Sequence, residues 1–114
     1  MKVILSLVFM LMSAASLAGA WTGWATPVRV DVVRNEGLMV YGSFGNPNGC
    51  TEADQFFVAI NHPQYNQIYA TVMTAIVAGR QVMAYADSCD PETWYNLPSV
   101  TYNAVSSSSA LNVQ

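Results

Sequence analysis

The side chains in this sequence that could support catalysis are one histidine and two groups of carboxylates. His62 is the only histidine, and it stands directly before Pro63, a residue that favours the start of a helix. Paired carboxylates can hydrolyse glycosides, and clustered ones can bind calcium. The acids concerned are Glu52 with Asp54, and Asp87 with Asp90 and Glu92. Both groups lie in turn-rich stretches beside the cysteines, where a capping or surface role is expected.

The sequence lacks the motifs of nucleophilic catalysis and of metal binding. It contains no G-x-S-x-G and no C-x-x-C, and its two cysteines are far apart. We therefore expect a protein that is not an enzyme and that uses neither a cofactor nor a metal ion.

The first twenty residues have the pattern of an export signal. Lys2 supplies a positive charge, an apolar run follows, and Ala18-Gly19-Ala20 offers the small residues that signal peptidase requires. We expect residues 1–20 to be removed and the mature chain to be secreted or periplasmic, a retained membrane anchor being the alternative. In an oxidising compartment, Cys50 and Cys89 are expected to form a disulfide.

The composition limits the kinds of partner. The chain has four basic and seven acidic residues, and its only lysine is Lys2. A mature chain without a basic stripe is not suited to nucleic acid or to anionic membrane surfaces, and we expect no membrane insertion. Low charge combined with many Tyr, Trp, Asn, Thr and Ser residues fits an uncharged partner such as a sugar or a protein.

Residue alternation and turn residues predict a mainly β domain with one α-helix. The five predicted strands lie at 28–33, 38–42, 55–60, 81–86 and 98–105, and the helix at 63–78 stands between strands 3 and 4. This order is that of the OB-fold, a five-stranded Greek-key barrel, with a generic α+β sandwich as the alternative. We expect one domain over 21–105 and a flexible tail at 106–114.

The predicted helix carries no charged side chain. One face is expected to cap the barrel, with Tyr65, Ile68, Tyr69, Val72 and Ile76. A solvated helix face normally carries Lys, Glu or Arg. The opposite face instead holds small, uncharged residues beside Gln67, namely Ala70, Thr71, Thr74, Val77 and Ala78. We expect this face to be the interface of a homo-oligomer, the alternative being a cover formed by the same chain.

Aromatic residues near the last two predicted strands are the candidate ligand site. An aromatic plane can stack on the C–H face of a sugar while amide and carboxylate groups bind its hydroxyls. The residues that could act in this way are Tyr85, Asp87, Trp94, Tyr95 and Asn96. The alternative is that these aromatics pack the ends of a small barrel.

Several short motifs occur together in the order found in one family of secreted proteins. Trp21-Thr22-Gly23 follows the predicted cleavage point, a cysteine follows a loop, and a Tyr-rich helix leads into a G-x-x-V-x-x-Y turn that ends at Tyr85. This layout resembles the binding subunit of subtilase cytotoxin and its small relatives. The resemblance implies an OB-fold protomer in a ring of five, with helices lining the central pore. Such a ring holds a toxic A subunit and binds sialylated glycans.

The match to that family is incomplete at its glycan pocket. Of the family's tyrosine pair only Tyr85 has a counterpart, since Ala86 takes the second place, and the family's early serine has no match. We expect a secreted, non-enzymatic binding protein whose partner is a cell-surface glycan or a toxic A subunit. The alternative is a monomeric envelope protein that acts as an inhibitor or a structural factor.

Overall fold

The computed structural model describes residues 19–33, 35–91, 100–106 and 109–114. Eight strands and one helix are present in this part of the chain. In chain order they are β1 (Ala20–Trp21), β2 (Arg29–Val33), β3 (Gly37–Tyr41), β4 (Gln55–Ala59), α1 (Tyr65–Ala78), β5 (Val82–Ala86), β6 (Ser88–Pro91), β7 (Thr101–Val105) and β8 (Leu111–Val113).

The strands form two sheets. The larger sheet has the order β2-β3-β4-β7-β6, in which β4 and β7 run parallel and the other neighbours antiparallel. The smaller sheet has the antiparallel order β1-β5-β8. Only Asp87 separates β5 from β6, so the chain passes directly from one sheet into the other at that residue.

The fold is mainly β with one helix, as predicted, but the prediction of a five-stranded OB-fold barrel needs correction. The strands form two sheets of three and five strands that do not close into a barrel. The helix follows the fourth strand rather than the third, because the short strand β1 precedes β2. The two edges of β5 are occupied by β1 and β8, which places β5 in a separate sheet.

Two parts of the smaller sheet lie at the predicted ends of the domain. Strand β8 falls within 106–114, the range predicted as a tail, and it pairs with β5 from Val82 to Ala84. Strand β1 spans the predicted cleavage point after Ala20. The segment beyond that point has its own bonds to β5, since Thr22 N–H donates to Ala84 O over 2.8 Å and Ala25 N–H to Val82 O over 3.0 Å.

The main hydrophobic core lies between the larger sheet, β5 and α1. Alternate residues of β3 and β4 point into it, with Leu38, Val40, Phe56 and Val58 all buried. From the helix the core receives Ile68, Val72 and Ala75, and Tyr65 and Ile76 pack against its edge. Full burial of one such aliphatic side chain stabilises the fold by about 1.5–3 kcal/mol. Tyr69 was predicted on this inner face but is 38% exposed.

The other face of the larger sheet carries a smaller cluster of Met39, Phe57 and Tyr102. The β2–β3 hairpin predicted from Asn35-Glu36-Gly37 is confirmed, with Val33 opposite Gly37. Glycine is required at position 37 because its φ is +152° and a Cβ atom would lie 2.1 Å from Val58 O.

The helix begins two residues later than predicted and ends where expected. Its first residue is Tyr65, preceded by Gln64, whose side chain makes no capping bond. The backbone N–H of Gln64 donates instead to Nδ1 of His62 over 3.0 Å. Gly79 ends the helix in the left-handed conformation, with φ 67°, as its position after Ala78 predicted. Within the described residues, no helix has the length and apolar character to span a membrane.

Candidate functional site

The two cysteines form the predicted disulfide. Cys50, in the loop before β4, is bonded to Cys89 of β6, with their Cα atoms 5.4 Å apart. The bridge fixes the loop 42–54 to the edge strand of the larger sheet. A disulfide of this kind is compatible with an oxidising secreted or periplasmic location.

The small uncharged side of α1 faces away from the core. Ala70, Thr74, Val77 and Ala78 are exposed, with Val77 at 85%, and Thr71 is half-buried. These are the residues that the sequence predicted as an oligomer interface. We call them, with Thr71, the outer helix face. No described part of the chain covers Val77, Thr74 or Ala70.

A groove runs between the outer helix face and strand β8. Its volume is about 240 Å³, and it is lined by Ala70, Thr71, Thr74 and Val113. Val113 is 51% exposed, so it extends the apolar surface beyond the helix. The hydroxyl of Thr71 donates to its own helix at Gln67 O, 2.8 Å away. Burying this side chain therefore leaves no donor unsatisfied.

Tyr85 lies on the outer side of the smaller sheet against an aromatic neighbour. It stands opposite Trp21 in the pairing of β5 with β1, and the two rings meet edge to face with centroids 5.3 Å apart. Trp21 remains 43% exposed. The pair therefore presents an aromatic surface to solvent, the kind of surface on which a sugar ring stacks. The sequence prediction did not include Trp21 in the ligand site.

Asp87 sits in a network of hydroxyl groups where the chain crosses between the sheets. Its carboxylate accepts hydrogen bonds from the hydroxyls of Ser106 and Ser109, the latter over 2.5 Å. His62 joins the same network, since Nε2 lies 3.4 Å from the carbonyl oxygen of Ser109. These contacts give Asp87 a structural role, because its carboxylate connects the β5–β6 junction to the segment after β7. The other predicted ligand residues, Trp94, Tyr95 and Asn96, lie outside the described residues.

Two of the carboxylates weighed for catalysis or metal binding make local contacts, and Glu92 lies outside the described residues. Asp54 Oδ1 accepts from Gly45 N–H over 2.8 Å, which is a turn contact. Asp90 Oδ1 accepts from Ser88 Oγ over 3.1 Å. Among the described residues, no group of three or more His, Cys, Asp or Glu side chains is placed to hold a metal ion.

The described arginines are engaged by nearby acceptors. Arg29 forms two bonds of 3.0 and 2.9 Å to the carboxylate of Asp31 and lies 4.5 Å from the ring centroid of Tyr41. Arg80 Nε donates to Gln114 O over 2.9 Å, which ties the helix end to the end of β8. The described surface thus carries no run of basic side chains of the kind that binds phosphate backbones.

A recess that the sequence did not reveal lies at one end of the larger sheet. It has a volume of about 300 Å³ and is bordered by the β2–β3 turn, the end of β4, and strands β6 and β7. Polar residues of its lining are Asn35, Glu36, Asn61 and Asp90, with Ser106 directly after β7, and apolar ones include Phe57 and Ile60. These residues belong to four elements that are distant in the sequence, so no local pattern could have identified them.

The chain was also compared with known proteins. No protein-family model, curated protein or solved structure matches it. The resemblance to toxin binding subunits therefore rests on the short motifs described above.

Proposed function

We propose that this protein is a secreted, non-enzymatic binding protein whose copies assemble through the outer helix face. The observation that carries this proposal is the exposure of an uncharged helix face that the described chain leaves uncovered. Val77 is 85% exposed, and Val113, which lines the groove beside α1, is 51% exposed. A contiguous exposed apolar patch is typical of a protein interaction site, whereas single exposed apolar residues are common on any surface.

The chemistry of the face suits a close approach between copies. Ala70, Thr74 and Ala78 have short side chains, and the helix has no acidic residue in its first turn and no basic residue in its last. A second copy would therefore meet no charge that must be desolvated, which is the main cost of burying polar surface. In the family that the sequence resembles, helices line the pore of a ring of five, and the proposed assembly is of that type.

The ligand that fits best is a surface glycan. Support comes from the aromatic pair Trp21 and Tyr85, and from the absence of a basic stripe on the described surface. A toxic A subunit is the protein partner that the resemblance implies. The competing proposal, a monomeric envelope protein acting as an inhibitor or structural factor, requires the outer helix face to remain in water.

Light scattering on the mature, oxidised protein at micromolar concentration tests the assembly. We expect an oligomer for the wild type, dissociation for Thr74→Glu, and retained assembly for the matched variant Thr74→Ala. Glutamate adds a charge that would have to be buried between copies, whereas alanine keeps the position small and neutral. Circular dichroism of each variant reports whether the fold is intact. A monomeric wild type, or an oligomer that survives Thr74→Glu, would reject the proposed interface.

A glycan array probed with the mature protein tests the binding role. We expect selective binding to a subset of glycans, and loss of avidity in Thr74→Glu, because several sites on one assembly bind together far more tightly than one. An array without signal at any concentration of assembled protein would favour the protein partner over the glycan.

A further inference from the structure

We propose that the recess bordered by Asn35, Glu36, Asn61 and Asp90 is a binding site for a neutral sugar. This inference rests on the proposed function only in taking a glycan as ligand, and it does not require assembly. It departs from the ligand that the family resemblance implies, because an acidic sugar such as sialic acid is disfavoured here.

The walls of the recess are held by backbone hydrogen bonds. Ile60 N–H donates to Glu36 O over 2.9 Å, which fastens the end of β4 to the β2–β3 turn. On the opposite wall, Asp90 is paired with Tyr102 across β6 and β7. A site built on strand ends and a tight turn exists before the ligand arrives, so little conformational entropy is lost on binding.

The polar groups of the rim have unused hydrogen-bonding capacity. The side chains of Asn35, Glu36 and Asn61 make no hydrogen bond or ion pair with any described residue, although all three are exposed at the recess. Asp90 uses Oδ1 for Ser88 and has Oδ2 available within the described part of the chain. Two carboxylates and two amides therefore converge on one space without satisfying one another.

This set of groups is complementary to vicinal hydroxyls. A hydroxyl donates and accepts at once, a carboxylate accepts strongly, and an amide does both. Ile60, 48% exposed, supplies an apolar surface for the C–H side of a sugar ring, whereas Phe57, 4% exposed, contributes little area to it. A volume of about 300 Å³ is at the lower end for ligand pockets and suits one sugar ring rather than a long chain.

The charge of the recess selects against anionic sugars. Glu36 and Asp90 are both carboxylates, and no described basic residue lines the recess. A sialic acid carboxylate placed there would be repelled, whereas a neutral hexose would gain hydrogen bonds to charged acceptors. Arg34, next to Asn35 in the chain, lies outside the described residues. Binding of N-acetylneuraminic acid therefore reports the combined effect of its positive charge and of the two carboxylates.

An NMR titration of the ¹⁵N-labelled mature protein tests this site. The probes are galactose, glucose, mannose and N-acetylglucosamine as neutral sugars, and N-acetylneuraminic acid as the acidic one. We expect shifts of the backbone amides of residues 35–36, 60–61 and 90 with at least one neutral sugar, and weaker or no shifts with the acidic sugar. No shift at these amides with any neutral sugar up to about 100 mM, well above the millimolar affinities of weak sites, would overturn the proposal.

Isosteric variants separate recognition from folding. Glu36→Gln and Asp90→Asn keep the shape of the rim but remove the charged acceptors, and each is expected to weaken neutral sugar binding about tenfold or more. Asn61→Ala removes one of the two side-chain amides of the rim and is also expected to weaken binding. Glu52→Gln, which removes an acid away from the recess, is the matched control and should bind like the wild type. Unchanged binding in all three recess variants would overturn the proposal.

The monomer produced by Thr74→Glu distinguishes this proposal from the proposed assembly. Sugar binding at the recess should persist in that monomer, because the recess lies within one chain. If sugar binding is lost in the monomer, the ligand lies between copies and the proposed sugar site at the recess is wrong. An assembled wild type without recess shifts would reject the sugar site while leaving the assembly in place.

Discussion

The side-chain amide of Asn103, in the middle of β7, donates from Nδ2 to Oδ1 of Asn46 over 3.0 Å. Asn103 is completely buried, and its Oδ1 accepts from the backbone N–H of Asn48 over 3.1 Å. Asn46 in turn binds both backbone groups of Cys50, through Oδ1 at 2.8 Å and Nδ2 at 2.7 Å. One buried amide thus connects the central parallel pair of strands to the loop that carries the disulfide.

Replacing Asn103 should destabilise the fold noticeably. Asn103→Ala leaves the N–H of Asn48 and one oxygen lone pair of Asn46 without their partner, and we expect a loss of about 2 kcal/mol in the free energy of unfolding. Chemical denaturation measures this loss. Asn112→Ala, on the exposed strand β8, is the control and should change stability by less than about 0.5 kcal/mol. Equal stability of both variants would show that Asn103 does not anchor the loop.

Removing the disulfide should cost more than any single hydrogen bond. The bridge joins residues 39 positions apart in the sequence, for which chain entropy gives about 4 kcal/mol. We expect the double variant Cys50→Ser/Cys89→Ser to lose about that much free energy of unfolding, so its denaturation midpoint should lie at a lower denaturant concentration. Wild-type protein in a reductant should match it, which serves as the control. A loss below about 1 kcal/mol would mean that the unbridged loop is already ordered in the unfolded chain.

His62 should contribute to stability through its ring nitrogens. Because Nδ1 accepts from Gln64 N–H, the proton of the neutral ring is on Nε2, where it faces Ser109 O. His62→Ala removes both contacts from a residue that is only 5% exposed, so we expect a loss of about 2 kcal/mol. His62→Asn can still accept from Gln64 N–H and should recover part of it. Thermal unfolding of the two variants decides between this structural role and a dispensable one.

Alkaline pH should weaken the fold through Tyr65. Burial, and then the nearby phenol of Tyr69, raise the pKa of Tyr65 above its usual value of 10.0. The folded state therefore holds this proton more tightly than the unfolded state, and the free energy of unfolding falls as the pH rises past about 10. Tyr65→Phe cannot ionise, so its stability should decline less over the same range.

The measurement for Tyr65 is a pair of denaturation series between pH 8 and pH 11. The difference between wild type and Tyr65→Phe should be constant below the usual tyrosine pKa and should change in favour of the variant above it. An ultraviolet titration of the phenolates gives an independent value for Tyr65. A midpoint at or below that of the exposed tyrosines would contradict the expected direction.

Features with local causes were predictable from the sequence. The β2–β3 hairpin follows from Asn35-Glu36-Gly37, in which Asn35 and Gly37 adopt positive φ, and the end of α1 follows from Gly79. The disulfide was predicted from the presence of two cysteines in a chain whose first twenty residues predict export. The composition of the outer helix face was also visible, because helical periodicity assigns side chains to faces without reference to other elements.

Features that depend on distant contacts were not predictable. Strands β1 and β8 are two and three residues long, and such short segments have no periodicity from which to recognise a strand. They form because both edges of β5 are available to them, and that pairing decides that the strands make two sheets instead of one barrel.

For the candidate sites, too, some features follow from the sequence and others only from the tertiary structure. The sequence by itself determined a mainly β chain with one uncharged helix and one cysteine pair, because these follow from residue types and their spacing. Only the tertiary structure decided that the described part of the chain leaves most of the outer helix face exposed, and that Glu36 and Asp90 meet at one recess. The reason is physical: exposure and convergence depend on which segments pack together, and packing sums contacts between residues far apart in the chain.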